Sequence, residues 1–259
     1  HENEEDAREE TLRMLKCYED FYRETLAIPA VTGKKTEKEK FAGAMETYTI
    51  EPMMHNGVAL QGGTSHYFGD GFAKAFDITY TDRENKICYP HQTSWGVSTS
   101  MIGAIIMTHG DDSGLVLPPA VAPIQAVIVP IATHKEGVLE AANDLFKEIK
   151  TVCRAKLDDS DQSPGWKFSE YEMKGVPLRI ELGPRDIENN VCVVVRRDNG
   201  EKTVVSLDEL ETKIPELLKN FRQQVLTYAV TGKLTNSDFA HWEKSTIGTI
   251  GKVKGGKRL

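Results

Sequence analysis

Residues 124–131 read Ile-Gln-Ala-Val-Ile-Val-Pro-Ile, and residues 135–150 read Lys-Glu-Gly-Val-Leu-Glu-Ala-Ala-Asn-Asp-Leu-Phe-Lys-Glu-Ile-Lys. The first run is almost wholly apolar and short, as in a buried strand. In the second, Val138, Ala142, Leu145 and Ile149 recur at three- and four-residue steps and give a helix one apolar face. The alternation continues downstream. Cys153–Leu157 reads as a second strand and Pro164–Met173 as a short helix. Val176, Leu178, Ile180 and Leu182 alternate with Pro177, Arg179 and Glu181, the pattern of a half-buried strand. Val191–Val195 is a further apolar strand, and Ser206-Leu207-Asp208-Glu209 has the form of a capping box opening a helix that carries Leu210, Ile214, Leu217, Phe221 and Val225. Strands alternating with amphipathic helices predict an α/β domain with a mixed sheet over residues 120–230.

Upstream the period changes. Residues 4–27 read as a helix whose apolar stripe is Leu12, Leu15, Tyr18, Tyr22 and Leu26, ended by Pro29. The charged run Lys34–Lys40 reads as a solvated loop or a short helix start. Short β-rich pieces follow at Thr47–Glu51, Val58–Gln61, Ala75–Thr81 and Lys86–Thr93, separated by turn signals such as Asn56-Gly57 and Gly62-Gly63. They predict an antiparallel sheet. Residues 98–108 read as an apolar helix capped by Ser98. Pro118, Pro119 and Pro123 then mark a stiff connector and a domain boundary, so that residues 1–119 form one domain. The tail after Thr231 loses periodicity; being basic and glycine-rich, residues 231–259 read as a mobile extension.

The bulk numbers narrow the classes. With 259 residues, 39% hydrophobic and 27% charged, the chain has globular proportions and fits two ordinary domains. No apolar run approaches the ~18–20 residues of a bilayer helix, and the acidic start, His1 to Asp6, does not resemble a signal peptide. Cys17, Cys88, Cys153 and Cys192 are too scattered for a CxxC zinc pattern and read as reduced thiols of a cytoplasmic protein. A net charge of -7 argues against a sequence-blind nucleic-acid coat, though a local basic face stays compatible with it. The chain starts at His1 rather than Met, with a helix almost at once, which predicts a fragment or a processed product.

No Walker loop, HExxH or GxSxG is present. Gly62-Gly63 followed by Thr64, Ser65 and His66 is a glycine turn with clustered hydroxyls and an imidazole, a pattern that lets backbone approach a ligand. Taken alone it is weak, because a histidine beside a strand is more often structural. It gains weight from its neighbours. Phe41-Ala42-Gly43, Leu60 to His66, Gln92-Thr93-Ser94-Trp95-Gly96 and His109 to Pro119, in that order, resemble prolyl-tRNA synthetases of the archaeal and eukaryotic type. The likeness continues through Lys174 to Asp186 and Arg196-Arg197-Asp198, covers roughly residues 1–225 and fades beyond.

The resemblance implies a class II synthetase: the C-terminal part of an antiparallel-sheet catalytic core including motif 3 over 1–119, and an anticodon-binding domain over 120–230. It implies a proline–tRNA ligase that uses ATP and Mg²⁺ to form prolyl-adenylate and then prolyl-tRNA(Pro), in a full-length protein that is a homodimer. Phe41 and His66 match positions walling the proline pocket. Gln61 and Thr64 match ATP contacts, and Ser98 matches a hydroxyl near the adenosine. No protein nucleophile is called for, since the proline carboxylate attacks the α-phosphate itself; catalysis is positioning and charge neutralisation. In the second domain, Lys167, Phe168, Glu172, Arg179, Glu181 and Arg197 are the candidates for anticodon contact, with Phe168 suited to stacking and the cations to phosphates and guanine edges. The plainer reading of Arg179 and Glu181 is a surface ion pair of little worth.

Two departures stand out. Motif 3 should end its Trp95–Ser100 stretch in an arginine that grips the ATP γ-phosphate, and Ser100 is neutral. Motifs 1 and 2 of the family should precede residue 1, so this chain alone is expected not to make prolyl-adenylate. Both departures keep a second reading open, a non-catalytic tRNA-binding or regulatory relative. A third, an editing or scaffold protein, is less favoured because nothing resembles an inserted hydrolytic domain. No cysteine follows Cys192, so the four-cysteine zinc domain of some relatives is not expected.

Overall fold

A computed structural model describes residues 1–232. The basic tail falls almost wholly beyond it, outside the described residues. In chain order the elements are α1 (Glu4–Asp20), β1 (Ala30–Lys34), β2 (Glu46–Pro52), β3 (Gly63–Gly69), α2 (Gly71–Ala75), β4 (Tyr80–Thr81), β5 (Ile87–Cys88), β6 (Gln92–Val97), α3 (Ser100–His109), β7 (Ala126–Pro130), α4 (Val138–Ile149), β8 (Ala155–Leu157), α5 (Pro164–Met173), β9 (Leu178–Leu182), α6 (Pro184–Glu188), β10 (Val191–Arg196), β11 (Lys202–Ser206) and α7 (Leu210–Thr231). Among the described residues they form two compact units, 1–24 with 28–104 and 25–27 with 105–232. The division falls inside α3, ahead of the proline cluster.

In the first unit an antiparallel sheet runs β1-β2-β3-β6. Its architecture follows from β3, whose alternate residues Ser65 and Tyr67 are buried while Thr64, His66 and Phe68 are half-buried. The buried set meets α1. Asn3 caps that helix by accepting from the Asp6 amide, and Glu4, Glu5 and Asp6 suit the positive end of its dipole. The helix ends earlier than the sequence predicts, passing at Phe21 into a π-helical turn that runs to Thr25. Its buried stripe is Ala7, Thr11 and Leu15, continued by Tyr22, while Leu12 is exposed. The small residues explain the rotation: the Ser65 hydroxyl reaches the Thr11 carbonyl at 2.7 Å, an approach a leucine in that place would block.

Other expectations in this unit need correction. Val58–Gln61 is not a strand; its hairpin survives only as the Met53–Ala59 bridge around the Asn56-Gly57 turn. Ala75–Thr81 is the end of α2 followed by the two-residue β4. The strand β1 was not foreseen, because Ala30–Lys34 is mostly exposed and has no apolar alternation.

In the second unit the sheet runs β11-β10-β9-β7-β8, with β7 parallel to β8 and β9, and β10 antiparallel to β9 and β11. Leu178, Ile180 and Leu182 pack with Ile128, Val194, Leu145, Ile149, Ile214 and Leu218 in one core. The opposite face carries Val127, Val129, Tyr171 and Val176. The helix at Pro164–Met173 forms as predicted, with Ser163 accepting from the Trp166 amide and Pro164 at the first helical position. The predicted capping box is absent: Ser206 ends β11, a 3₁₀ turn spans Leu207–Glu209, and no side chain caps α7. All four cysteines are free thiols; burial pushes Cys192 up to about 12.

Glu46 on β2 gathers α1 and β1. It accepts from Arg8 at 2.5 Å, Lys34 at 2.5 Å and Tyr48 at 3.1 Å. Burial works to raise its carboxyl, but those three donors outweigh it and hold the group at about 2. A depressed carboxylate stabilises the fold above its unfolded value and loses that contribution as pH falls toward its folded value. Glu46→Gln should therefore be less stable than the parent at pH 7, with the gap closing between about pH 5 and pH 2. Urea midpoints across that range check it; a gap independent of pH would refute the assignment.

Candidate functional site

Three strands place the first candidate site. Thr47 stands opposite His66 and Thr49 opposite Thr64 between β2 and β3; on the other side His66 faces Ser94 and Thr64 faces Gly96 of β6. Antiparallel pairing puts these side chains on one face, away from α1. At one end of that face an aromatic group collects: Phe41 lies 5.2 Å from His66 and 5.8 Å from Phe68, centroid to centroid, and His66 lies 5.7 Å from Phe68. Phe41 is half exposed, so the wall is open to a ligand. Burial, then Lys35, pushes the His66 imidazole below its ordinary value.

At the other end Gln61, Thr64, Ser98 and the strand Ser94–Val97 line an open cleft of about 290 Å³, at the small end of small-molecule sites. Ser98 and Ser100 share a hydrogen bond of 2.7 Å between their hydroxyls; Ser100 also donates to the Gln61 carbonyl at 3.3 Å. Lys35 bonds the Gln61 side chain. The structure thus brings the sequence-selected residues Phe41, Gln61, Thr64, His66, Ser98 and Ser100 onto one continuous surface.

The glycines also serve packing. A Cβ on Gly62 would strike the Tyr22 hydroxyl, and one on Gly63 would lie 2.9 Å from Val97. Protein packing therefore requires their bareness, and both glycines line the cleft as well. Tyr22 is fully buried and donates to the Gly62 carbonyl at 3.3 Å.

In the second unit, five of the six candidates form a connected set on the charged face of β9. Arg179 donates to Glu181 at 3.0 Å and Glu172 at 2.9 Å, with its guanidinium 4.0 Å over the Phe168 ring. Arg197 donates to the Glu172 carbonyl at 2.9 Å. Glu172, Arg179 and Arg197 line a depression of about 430 Å³ together with Ser113, Tyr171 and Arg196.

Burial corrects three readings. Arg179 and Glu181 are not a surface pair; each is 8% exposed, because β9 is the central strand and α5 covers the face the alternation marks as polar. Lys167 is 1% exposed and donates to the Asp158 carbonyl at 2.9 Å, so its ammonium is a structural tie rather than a surface cation. Arg197 is likewise buried and holds Asp111 by two bonds of 2.7 and 2.6 Å. Sequence reasoning missed Tyr171 and Asp111. Tyr171 donates to Asp158 at 2.9 Å, and its selection required knowing that α5 lies over β7.

With side chains 0% and 3% exposed, the Asp111–Arg197 pair is desolvated, and removing one partner strands the other. Asp111→Ala should lose about 3–5 kcal/mol in urea unfolding. A loss below about 1 kcal/mol would mean the pair is worth no more than a surface bridge.

Comparisons with known proteins bear on both surfaces. Residues 125–217 match the family model described as "Anticodon binding domain". The chain is 63% identical over 229 residues to a proline–tRNA ligase of Ruminiclostridium cellulolyticum, covering 88% of this chain and 48% of the relative. It is 60% identical over 241 residues to one of Lachnoclostridium phytofermentans, covering 93% and 50%. Among solved structures, a prolyl-tRNA synthetase of Cryptosporidium parvum complexed with L-proline and AMP matches with a TM-score of 0.84 at 43% identity, covering 88% of this chain and 50% of that one. The chain spans about half the length of the curated relatives it matches. An alignment of 229 residues fits inside neither compact unit alone, so the similarity runs through both.

Proposed function

We propose that this chain is the half of a proline–tRNA ligase of the archaeal and eukaryotic type that carries motif 3 and the anticodon-binding domain. The observation that carries the reading is the identity through both units, combined with the convergence of Phe41, Gln61, Thr64, His66, Ser98 and Ser100 on one face. In the whole protein the reaction is ATP-dependent activation of proline followed by transfer to tRNA(Pro), in a cytoplasmic homodimer.

The residues present suit parts of that chemistry. The Phe41, His66 and Phe68 rings offer an apolar wall with one polar edge, fitting a pyrrolidine ring. Gln61, Thr64 and Ser98 offer neutral hydrogen-bonding groups to an adenosine. The proline carboxylate, already deprotonated, attacks the α-phosphate and pyrophosphate leaves; none of these side chains needs to take a proton, and their work is positioning. Among the described residues no group of three or more His, Cys, Asp or Glu is arranged to hold a metal; Mg²⁺ would be held chiefly by the ATP phosphates, which it would help to neutralise. Ser100, bonded to Ser98 and Gln61, adds no charge to the triphosphate end.

Ser100 favours a second reading, a tRNA-binding relative that has left the ligase reaction. ATP–pyrophosphate exchange with proline separates the two. It is to be measured on this chain, on a longer protein joining it to the half its relatives carry, and on that protein with Ser100→Arg. The ligase reading expects exchange in the longer protein, raised about 100-fold or more by arginine, the size of one transition-state charge contact. No exchange in either longer protein would move the function to the second reading.

The second unit is proposed to bind the tRNA(Pro) anticodon through Phe168, Glu172, Arg179 and Glu181, with Lys167 and Arg197 holding the surface from within. Arg179→Gln should weaken tRNA(Pro) binding about tenfold while leaving far-ultraviolet circular dichroism unchanged. Unaltered affinity across a salt titration would remove Arg179 from the interface.

A further inference from the structure

We propose that Thr47 is a positioning residue: it fixes His66 as the neutral tautomer with its proton on Nε2, so that the aromatic end of the candidate site presents a permanent hydrogen-bond donor. The part concerning ligand rests on the reading of that end as a proline pocket.

Proton counting around a buried hydroxyl selects the tautomer. Thr47 is 2% exposed. Its Oγ1 accepts from the Phe41 amide at 3.0 Å and lies 3.0 Å from His66 Nδ1, its cross-strand partner. A hydroxyl has one proton to give. With the amide already donating to it, and no other acceptor for Thr47 among the described residues, the proton goes to Nδ1. Nδ1 is then an acceptor, and the neutral ring carries its hydrogen on Nε2. The opposite tautomer, or the imidazolium, would place two donors on Oγ1 and leave the buried hydroxyl proton unbonded, an arrangement native interiors avoid.

The surroundings act in the same direction. From β2 comes Thr47, from β6 Ser94, from β3 Thr64 and Phe68, and from the segment before β2 Lys35 and Phe41. The charge that acts on the imidazole is Lys35, which disfavours protonation, as burial does. His66 Nε2 bonds no protein group among the described residues. The site therefore offers an uncharged donor framed by two phenyl rings. That chemistry suits a small zwitterion with an aliphatic body: its oxygen accepts the proton, and its ammonium meets no opposing cation on the imidazole. The same Thr47 oxygen holds the Phe41 amide, so one side chain sets both the wall and the donor.

The test is ¹⁵N ring-resonance spectroscopy on the full chain, with His66→Gln used to identify the signal. Expected are an unprotonated Nδ1, a protonated Nε2 and a titration midpoint below that of ordinary histidine. Thr47→Val should raise the midpoint and average the two nitrogens, and Thr47→Ser should restore the parent pattern. A protonated Nδ1 in the parent, or a Thr47→Val pattern identical to it, overturns the proposal; the parent spectrum decides even if the valine variant fails to fold. Adding L-proline to the longer protein that joins this chain to the half its relatives carry should shift the His66 Nε2 signal, with affinity lower by about threefold to tenfold in Thr47→Val and recovered in Thr47→Ser. No response to L-proline in that longer protein, with the expected tautomer present, would break the proline reading and leave the Thr47–His66 coupling standing.

Discussion

The register of β3 is the constraint on which the first unit rests. Its period of two sends Ser65 and Tyr67 to α1 and Thr64, His66 and Phe68 to the open face. A slip of one residue would bury the imidazole and expose Tyr67. Several local contacts hold the register against that slip. The Ser65 hydroxyl reaches the α1 backbone, Tyr67 is 1% exposed beneath the Arg8 guanidinium at 4.5 Å, and Gly62 and Gly63 leave room for Tyr22 and Val97. The candidate site is thus the solvent side of a strand whose other side is fully engaged, and its geometry inherits the rigidity of that packing.

A similar economy governs the second unit in reverse. The central strand β9 buries both faces, so its polar alternation could not remain a solvated edge. Arg179 and Glu181 are satisfied instead by each other, by Glu172 and by the Phe168 ring. Behind them Lys167 and Arg197 each find a fixed partner, Asp158 and Asp111. Charges held this way lose little freedom on meeting a ligand, as the proposed anticodon contact would require.

Much of this was legible in the residues, and the misses have common causes. Periodicity found α4, β7 and β10 because each has one dominant apolar face or is apolar throughout. It failed at β1, where no face is buried, and at α1, where Ala7 and Thr11 carry the contact and the more hydrophobic Leu12 faces water. Close approach selects small side chains, which a hydrophobic stripe does not register. Residue types in order brought out Phe41, Gln61, His66, Ser98 and Ser100 through their resemblance to a known family. Alternation could not tell that Arg179 is buried, since a strand covered on both faces and one covered on a single face look alike when the second face is sealed by ion pairs.

Thr47 shows why such residues escape sequence reading. Nothing in Glu46-Thr47-Tyr48 marks a functional position; a threonine in a strand is what β-propensity expects. Its role arises only when the register sets it opposite His66 and the preceding segment returns the Phe41 amide to its oxygen. Ser100 is the converse, conspicuous in the sequence yet seated without strain in a hydroxyl pair with Ser98. An arginine there would have to break that pair and leave the Gln61 carbonyl it now bonds. The aromatic end and the Ser98–Ser100 end of the face are therefore separable: the first is organised by the Thr47 hydrogen bonds, while the second pairs its hydroxyls with each other and with the Gln61 carbonyl.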